Sequence, residues 1–212
     1  MESLGGMLFM QKNLAFDIGC NVGRYTKALL DDGFTKVIAV DPNPFLFINN
    51  TDDRVIRVTQ ACSKESSVIP FYFSNADTIS TASKNWTINS RFVNQYVWQE
   101  TQVKSTTIDN LVKTYGIPDH IKIDVEGYEE EVLKGMTKKY SSEICFEWAE
   151  EEYDSSLRCV DYLYNLGYTE FGFILTDSYL KNPEHYYSIE NFKNIFKFNP
   201  DRKEQWGMIW SK

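Results

Sequence analysis

Apolar residues occur along this chain in short runs that alternate with polar turns and amphipathic segments. Residues 14–18 and 37–40 are apolar runs of strand length, and the segment between them carries apolar side chains at helical spacing and ends at Gly33. Strand, tight turn, helix and strand in this order favour parallel pairing of the two strands, because the helix provides the crossover that parallel strands need. The pattern therefore predicts a βαβ unit within residues 13–44.

The alternation of strand-like and helix-like segments continues to the C-terminus. Pro70 restricts one run, residues 68–73, to an edge or bulged strand, because proline cannot donate a hydrogen bond to a neighbouring strand. The whole pattern is typical of a doubly wound α/β fold with helices on both faces of a mostly parallel sheet. The other predicted elements are strands at residues 54–58, 102–106, 120–125, 143–148, 168–175 and 206–210, and helices at residues 45–50, 108–115, from 126 onwards and 154–166, the last capped by Asp154.

Residues 19–23 form a glycine-spaced turn between the first strand and its helix. Glycines here let the backbone approach a ligand at a helix N-terminus. The spacing is G-x-N-x-G, unlike the G-x-G-x-x-G of dinucleotide-binding turns, and Asp17 precedes it. That acid would repel a pyrophosphate but attract an ammonium or a sulfonium. S-adenosylmethionine (SAM) carries both cations and a ribose diol, and Asp41 at the end of the second strand is placed to accept hydrogen bonds from the diol.

The sequence DIGCNVGRYT followed by VIAVDPNP resembles the cofactor half of class I SAM-dependent methyltransferases. Together with KIDVEG at residues 122–127 it is similar to the FkbM family, and the resemblance covers about residues 13–148. It implies a seven-stranded sheet whose last strand is antiparallel, and O-methylation of a hydroxyl of the kind found in sugars or polyketides. The cofactor-binding residues expected on this basis are Asp17, Gly19, Asn21, Gly23, Asp41, Pro42, Ala61, Cys62, Ser63 and Asp124.

Three acids follow the predicted central strands, where open parallel sheets bind their ligands. Asp124 and Glu126 lie at the end of the fourth strand and Glu147 at the end of the fifth. Mutual repulsion and burial would raise the pKa of at least one of them, as a general base for an alcohol requires. We predict Glu147 as the base, Asp124 as a cofactor-orienting residue with a catalytic role, and Glu126 as an acceptor contact. Glu126 is expected to be a weaker base because a helix N-terminus should lower its pKa, and Lys122 could pair with Asp124.

No metal ion is expected at this site. Catechol-type O-methyltransferases carry an Asp-Asn pair after the fifth strand, whereas Trp148 and Ala149 follow Glu147 here. The chain has only 2 histidines and no C-x-x-C motif, which argues against a zinc site as well.

The amino-acid composition indicates which acceptors and which cellular compartment to expect. The 30 acidic residues exceed the 22 basic ones, and the formal charge of −8 would repel a polyanion, so nucleic acid is not the expected acceptor. Four scattered cysteines predict free thiols in a reducing compartment and a cytoplasmic location. No apolar run approaches the length of a membrane span, so the expected partner is a small-molecule or glycan acceptor.

Residues 13–212 are predicted to form a single methyltransferase domain after a short extension, residues 1–12. The first strand begins too early to leave room for the N-terminal helices that usually precede this fold. We therefore expect either a minimal version of the fold or a domain of a larger, glycan-processing polypeptide. Insertions are expected near residues 74–101 and 177–204. The first is long and aromatic, so we expect it to contribute to the acceptor pocket, although aromatic residues are also typical of a core.

Two other functions fit parts of the pattern. An NAD-binding reductase would share the βαβ unit, but Asp17 and the missing third glycine disfavour it. A non-catalytic SAM-binding module of a larger protein would keep the cofactor turn, but the intact acids at the strand ends argue against it. Nucleobase and amide N-methyltransferases usually carry an Asn/Asp-Pro-Pro-aromatic turn after the fourth strand, where this chain has Asp-Val-Glu-Gly at residues 124–127.

Overall fold

The computed structural model describes residues 12–46, 52–176, 181–198 and 205–212. The strands within these ranges are β1 (Leu14–Ile18), β2 (Lys36–Val40), β3 (Val55–Val58), β4 (Ala61–Cys62), β5 (Val68–Ser74), β6 (Trp98–Thr106), β7 (His120–Ile123), β8 (Glu143–Ala149), β9 (Phe171–Leu175) and β10 (Trp206–Ser211). The α-helices are α1 (Arg24–Asp31), α2 (Lys84–Asn89), α3 (Ile108–Tyr115), α4 (Glu129–Leu133), α5 (Tyr153–Asn165) and α6 (Ile189–Ile195).

Seven strands form one sheet in the order β3-β2-β1-β7-β8-β10-β9. The first five of these strands pair in parallel, whereas β10 is antiparallel to both β8 and β9. From β1 the chain proceeds outwards through β2 and β3 and then returns to the other side of β1 at β7. This reversal brings the carboxyl ends of β1, β2 and β7 to one edge, where such sheets bind ligands. The predicted doubly wound α/β fold with an antiparallel last strand is confirmed.

Side chains alternate between the two faces of the sheet along each strand. Phe16 of β1 belongs to a buried core that includes Leu111 of α3 and Leu163 of α5. Its neighbour Ala15 belongs to a second core, which includes Leu29 of α1. Helices therefore cover both faces, α1 on one side and α3 to α6 on the other. Burying each large apolar side chain stabilises the fold by about 1.5–3 kcal/mol, which fixes the register of the strands that carry the site.

A second, smaller sheet was not predicted from the sequence. It contains β4, β6 and β5 in that order, with β5 at its edge. Pro70 of β5 lies opposite Gln102 of β6 in an antiparallel pair, and the edge position predicted for the strand with Pro70 is confirmed. Ala61–Cys62 was not among the predicted strands, but it pairs in parallel with Ser105 and Thr106. The predicted insertion, residues 74–101, thus connects β5 to β6 of this small sheet.

Helix α4 is shorter than predicted. The sequence predicts a helix from Glu126 onwards with basic residues in its last turn, but α4 spans only Glu129–Leu133. Glu126 and Gly127 have φ angles of 59° and 81°, which are left-handed conformations that a right-handed helix cannot contain. Of the three lysines expected in the last turn, Lys134 is the C-cap residue, whereas Lys138 and Lys139 lie beyond the helix.

The predicted cap of α5 is also wrong. The N-cap residue is Glu152, and no side chain caps this helix. Asp154 lies one residue inside the helix instead, where its charge still interacts favourably with the dipole. Residues 74–101, predicted to be irregular, contain α2 and the start of β6. The Ser83 hydroxyl caps α2, a polar signal that the aromatic residues around it obscured.

Three predictions fall wholly or partly outside the described residues. These are the helix at residues 45–50, the extension at residues 1–12 and the insertion at residues 177–204. The described part of that insertion contains α6. Across the part of the chain that the structure describes, no helix is both long enough and apolar enough to cross a membrane.

Candidate active site

A cavity of about 370 Å³ opens at the carboxyl ends of β1, β2 and β7. Its volume lies within the range of small-molecule sites, roughly 300–1,000 Å³. The turn after β1, the ends of β7 and β8 and the segment between β5 and β6 surround it. The predicted site residues that line it are Gly19, Asn21, Asp41, Pro42, Ala61, Cys62, Asp124, Glu126 and Glu147.

The turn between β1 and α1 bends tightly at the cavity. Gly19, Asn21 and Gly23 have φ angles of 77°, 48° and 82°. The Gly19 N–H donates to the carbonyl of Val40 at 2.9 Å, which joins the turn to the end of β2. A Cβ at Gly19 would lie 1.7 Å from the carbonyl oxygen of Asp124, so only glycine fits where the ends of β1 and β7 meet. Gly23 is the N-cap residue of α1 and, contrary to prediction, does not line the cavity.

Asp41 follows β2 and is half-buried at the cavity wall. Its Oδ2 accepts a hydrogen bond from the Asn21 N–H at 3.1 Å, and its Oδ1 accepts one from the Asn43 N–H at 2.9 Å. Burial raises the pKa of Asp41, although these two hydrogen bonds oppose the effect. The bonds fix the orientation of the carboxylate, and each oxygen keeps a further lone pair for a ligand hydroxyl.

Of the three consecutive residues after β3 that were predicted to bind the cofactor, only two line the cavity. Ala61 and Cys62 line the cavity, whereas Ser63 does not, and the Ser63 hydroxyl lies 3.2 Å from the hydroxyl of Tyr128. Burial raises the pKa of Cys62 to about 12, so its thiol stays protonated and acts as an apolar wall. The Ser63 N–H donates to the carbonyl oxygen of Thr106 at 2.8 Å, so the backbone of this residue is held against β6.

Asp17, which was predicted to bind the cofactor, does not line the cavity. Its side chain is fully buried, and its Oδ2 accepts a hydrogen bond from the Thr26 hydroxyl at 2.6 Å. The cation beside it belongs to the protein, because Lys122 Nζ lies 3.3 Å from its Oδ1. The alternation of β1 directs Asp17 towards α1, which carries Thr26. Its charge is therefore neutralised within the fold.

Lys122 connects three parts of the site. Its Nζ donates to the carbonyl oxygen of Gly19 at 3.0 Å and lies 3.3 Å from both Asp17 Oδ1 and Asp124 Oδ2. Burial alone would lower the pKa of Lys122, but the carboxylates of Asp124 and Asp17 raise it above its ordinary value. Lys122 is therefore a charged ammonium buried beneath the turn. The pairing with Asp124 expected from the strand periodicity is confirmed.

Asp124, Glu126 and Glu147 meet at one side of the cavity, as their positions at the strand ends predicted. Carboxylate oxygens of the three residues lie within 4.8 Å of one another, and all three side chains are half-buried. Burial, and after it the charge of Asp124, raises the pKa of both Glu126 and Glu147 well above the ordinary value. The expectation that a helix N-terminus lowers the Glu126 pKa is wrong, because α4 begins only at Glu129. We call these three residues the acid trio.

Contacts from two sides hold the loop that carries Glu126. A non-glycine residue with positive φ costs about 1–3 kcal/mol and persists only where its surroundings impose it. The Thr81 hydroxyl donates to the carbonyl oxygen of Glu126 at 2.7 Å. Glu129 Oε1 accepts hydrogen bonds from the N–H groups of Val125 at 3.0 Å and Gly127 at 3.3 Å. Burial raises the pKa of Glu129 to about 7.

Residues 77–92 supply the part of the cavity wall that faces the acid trio. Trp86 is only 2 % exposed, and a Cβ at Gly127 would lie 3.0 Å from its ring, so the indole packs closely on the loop after β7. Trp98 and Tyr96, two other aromatic residues of the segment expected to contribute to the acceptor pocket, do not line the cavity. Trp86 thus combines a core position with a place at the site.

Arg24, Asp77 and Arg91 line the cavity but were not predicted. Arg91 Nε and Nη2 donate to the two carboxylate oxygens of Glu151, each at 2.8 Å. The side-chain amide of Asn21 donates to the carbonyl oxygen of Asp77 at 3.0 Å, which ties the wall to the glycine turn. The sequence could have indicated Arg24 as a cavity residue, because it directly follows the glycine turn. The other two lie in the aromatic insertion, where no periodicity shows which side chains face inwards.

Comparison with known proteins identifies the family. The methyltransferase FkbM domain matches residues 17–175. The hexuronic acid methyltransferase AglP of Haloferax volcanii is 31% identical over 140 residues, which are 62% of this chain and 53% of that protein. The chain therefore spans about half the length of this curated relative.

Solved structures give weaker similarities. The precorrin 8W decarboxylase of Methanobacterium thermoautotrophicum is 12% identical with a TM-score of 0.47, covering 95% of this chain and 82% of that one. A chain of the Mtq2–Trm112 complex of E. cuniculi is 10% identical with a TM-score of 0.45, covering 96% and 87%. These values are too low to support an argument. The domain match, which extends over most of the chain, is decisive: this chain belongs to the methyltransferase FkbM domain family.

Proposed function

We propose that this chain transfers a methyl group from SAM to a hydroxyl of a sugar within a glycan. Membership in the FkbM domain family makes it a methyltransferase with SAM as its cofactor. The observation that carries the choice of a hydroxyl is the acid trio beside the cavity, because its carboxylates can receive a proton. The name of the H. volcanii relative, a hexuronic acid methyltransferase, supports a sugar as the acceptor.

The cavity has the volume of a small-molecule site, and the chemistry of its walls suits this cofactor. When bound, SAM supplies an electrophilic methyl group on a sulfonium. Asp41 would accept hydrogen bonds from the ribose hydroxyls, and Ala61 and Cys62 would contact the adenine. Asp124 would hold the amino group. Lys122 contacts both the Asp124 carboxylate and the Gly19 carbonyl oxygen, and it thereby keeps this carboxylate next to the glycine turn. Each contact rests on a residue that lines the cavity.

Glu147 is the general base in this proposal. An alcohol is a poor nucleophile, and a positioned base contributes on the order of 10²–10⁴ in rate. The raised pKa of Glu147 makes its deprotonated carboxylate a stronger base. Among the described residues no cation lies within ion-pair distance of Glu147, whereas Lys122 already pairs with Asp124. Glu126 contacts the acceptor and is the alternative base.

The acid trio also favours a hydroxyl over a carboxylate as the reacting group. A hexuronic acid offers both, and methylation of its carboxylate would need no base. That carboxylate would have to approach the acid trio, however, and each ionised member of the trio would repel it in a partly buried site. A neutral hydroxyl meets no such barrier and can donate its proton to the trio.

The proposal also covers the class of acceptor, the cellular compartment and the polypeptide to which this chain belongs. A formal charge of −8 supports a non-nucleic-acid acceptor, because a polyanion would be repelled. All four cysteines are buried free thiols, which supports a reducing compartment such as the cytoplasm. Because the chain spans about half of its curated relative, a larger glycan-processing polypeptide is also part of the proposal.

The test combines an acceptor panel with two matched variants. The protein is incubated with isotopically labelled SAM and a panel of glycans that includes uronic acid sugars, and products are identified by mass spectrometry. On the acceptor found, Glu147→Gln should lower kcat by about 10²–10⁴ at saturating SAM and abolish the rise of kcat with pH that deprotonation of Glu147 causes. Glu131→Gln, an acid on α4 that pairs with Lys134 away from the cavity, is the control.

Several outcomes would contradict the proposal. Near-wild-type turnover by Glu147→Gln between pH 6 and pH 9 would remove Glu147 as the base. The same loss in Glu126→Gln alone would assign the role to Glu126. A labelled methyl ester, cleaved by mild alkali, would show that the carboxylate reacts. SAM binding without transfer to any acceptor would favour a non-catalytic module.

A further inference from the structure

The cationic side chains that line the cavity differ in whether they pair with a carboxylate of the protein. Besides its sulfonium, SAM carries an ammonium and a carboxylate at its amino acid end. The acid trio and Asp41 offer negative charge to the cations, but a carboxylate needs a positive partner. The cationic side chains that line the cavity among the described residues are those of Arg24, Arg91 and Lys122.

Two of these cations already have carboxylate partners. Lys122 lies 3.3 Å from an oxygen of Asp17 and 3.3 Å from one of Asp124, and it is buried below the turn. Arg91 is engaged in a two-point contact with Glu151. Redirecting Lys122 to a ligand would leave the buried Asp17 without its cation, which is costly, and redirecting Arg91 would break its two-point contact with Glu151.

Arg24 differs from both. It is exposed, it lines the cavity, and within the described part of the chain it forms no ion pair or side-chain hydrogen bond. It follows the glycine turn directly, between Val22 and Tyr25, which line the same cavity. As the first residue of α1 it is a cation at the positive end of a helix dipole, a position that disfavours it. The stability of the helix therefore does not explain it.

We propose that Arg24 binds the carboxylate at the amino acid end of SAM. A guanidinium matches a carboxylate through two parallel hydrogen bonds, which fix the orientation as well as the position of the group. Arg24 would thereby direct the neighbouring ammonium towards Asp124. The inference rests on the cofactor of the proposed function and extends it to one more contact.

The experiment compares two ligands that differ in this carboxylate. Decarboxylated SAM keeps the adenosine, the sulfonium and the ammonium but lacks the carboxylate. By titration calorimetry, Arg24→Gln should raise the Kd for SAM about 10- to 100-fold, as expected for loss of charged hydrogen bonds, and leave the Kd for decarboxylated SAM unchanged. Wild-type protein should prefer SAM by a similar factor, and Arg24→Gln should lose that preference.

Two further variants separate this contact from general effects. Asp41→Ala removes the proposed ribose partner and should weaken both ligands equally. Lys27→Gln removes a cation on the exposed side of the same helix, where Lys27 pairs with Asp31, and should change neither Kd. A difference confined to Arg24→Gln therefore excludes long-range electrostatics as the cause.

The inference is overturned if Arg24→Gln weakens both ligands equally or neither. A wild-type protein that binds neither ligand would overturn the cofactor itself together with this contact. Failure of methyl transfer to glycans, in contrast, leaves these binding measurements intact, so the two proposals can be tested separately.

Discussion

Asp17 and the acid trio lie at neighbouring strand ends of one sheet, yet their surroundings differ. Asp17 is fully buried, accepts a hydrogen bond from Thr26 and pairs with Lys122. In the acid trio only Asp124 has a cation within ion-pair distance among the described residues. The two glutamates of the trio are half-buried with raised pKa values and share the cavity wall.

The difference is the one expected between acids that stabilise a fold and acids that react. A buried charge with a hydrogen bond and an opposite charge is tolerated because its desolvation is offset within the fold. Acids clustered without enough cations destabilise one another, and a fold retains such a group where a ligand or a proton compensates it. This contrast supports the proposal that Asp17 stabilises the turn and that the trio takes part in the chemistry.

The largest expected effect concerns the paired acid. Lys122→Met should lower the free energy of unfolding by about 3–5 kcal/mol, because Asp17 would remain buried without its cation. Urea denaturation followed by circular dichroism measures this loss. Asp17→Asn introduced into Lys122→Met should recover part of it, since the uncompensated charge is then gone.

Lys27→Met provides the matched control for that variant. Lys27 also pairs with an aspartate, but the side chains of Lys27 and Asp31 are 74% and 66% exposed. Exposed pairs contribute about 0–1 kcal/mol, so this variant should be nearly as stable as wild type. If Lys122→Met is equally stable, Asp17 is not held by the ion pair and the contrast between the two groups of acids is wrong.

A smaller, pH-dependent effect is expected next to the trio at Glu129. Folding raises its pKa from 4.5 to about 7, so the fold disfavours its charged form. The penalty is absent below about pH 4.5, grows as the pH rises and is complete above about pH 7, where it reaches about 3 kcal/mol. Glu129→Gln keeps the oxygen that accepts the two backbone hydrogen bonds. It should therefore match wild type at pH 4.5 and be more stable at pH 8.

Urea unfolding at both pH values measures that difference. Glu131→Gln is the control, because the partners Lys134 and Lys64 lower the Glu131 pKa. It should be no more stable than wild type at pH 8. A stability gain in Glu129→Gln that is the same at both pH values would mean that charge is not its cause, and the acids around the trio would not be under electrostatic strain.

Local sequence signals predicted the fold and much of the site. The short apolar runs, the helical spacing between them and the glycine turn predicted β1, α1 and β2, because these elements depend on residues close in sequence. The strand ends predicted that Asp124, Glu126 and Glu147 would meet, because parallel strands place their carboxyl ends at one edge. The sequence was therefore sufficient to predict these elements and the cluster of three acids.

Signals that depend on distant contacts were not available. The orientation of Asp17 depends on Thr26 and Lys122, which come from α1 and β7. The short α4 depends on the left-handed loop at Glu126, which Thr81 of the insertion helps to hold. None of these three partners could be identified from the sequence alone, so the sequence predicted the position of Asp17 and Glu126 and not their surroundings.

The smallest expected effect is the response of turnover to a chelator. Carboxylate oxygens of the acid trio lie within 4.8 Å of one another, an arrangement that could hold a divalent cation. We expect turnover with the identified acceptor to be unchanged in EDTA, since Lys122 already supplies a cation to Asp124 and the raised pKa values let protons neutralise the glutamates. Loss of turnover that Mg²⁺ or Mn²⁺ restores would contradict this. The trio would then resemble Asp17 in having a cation of its own, and the proton would need another acceptor.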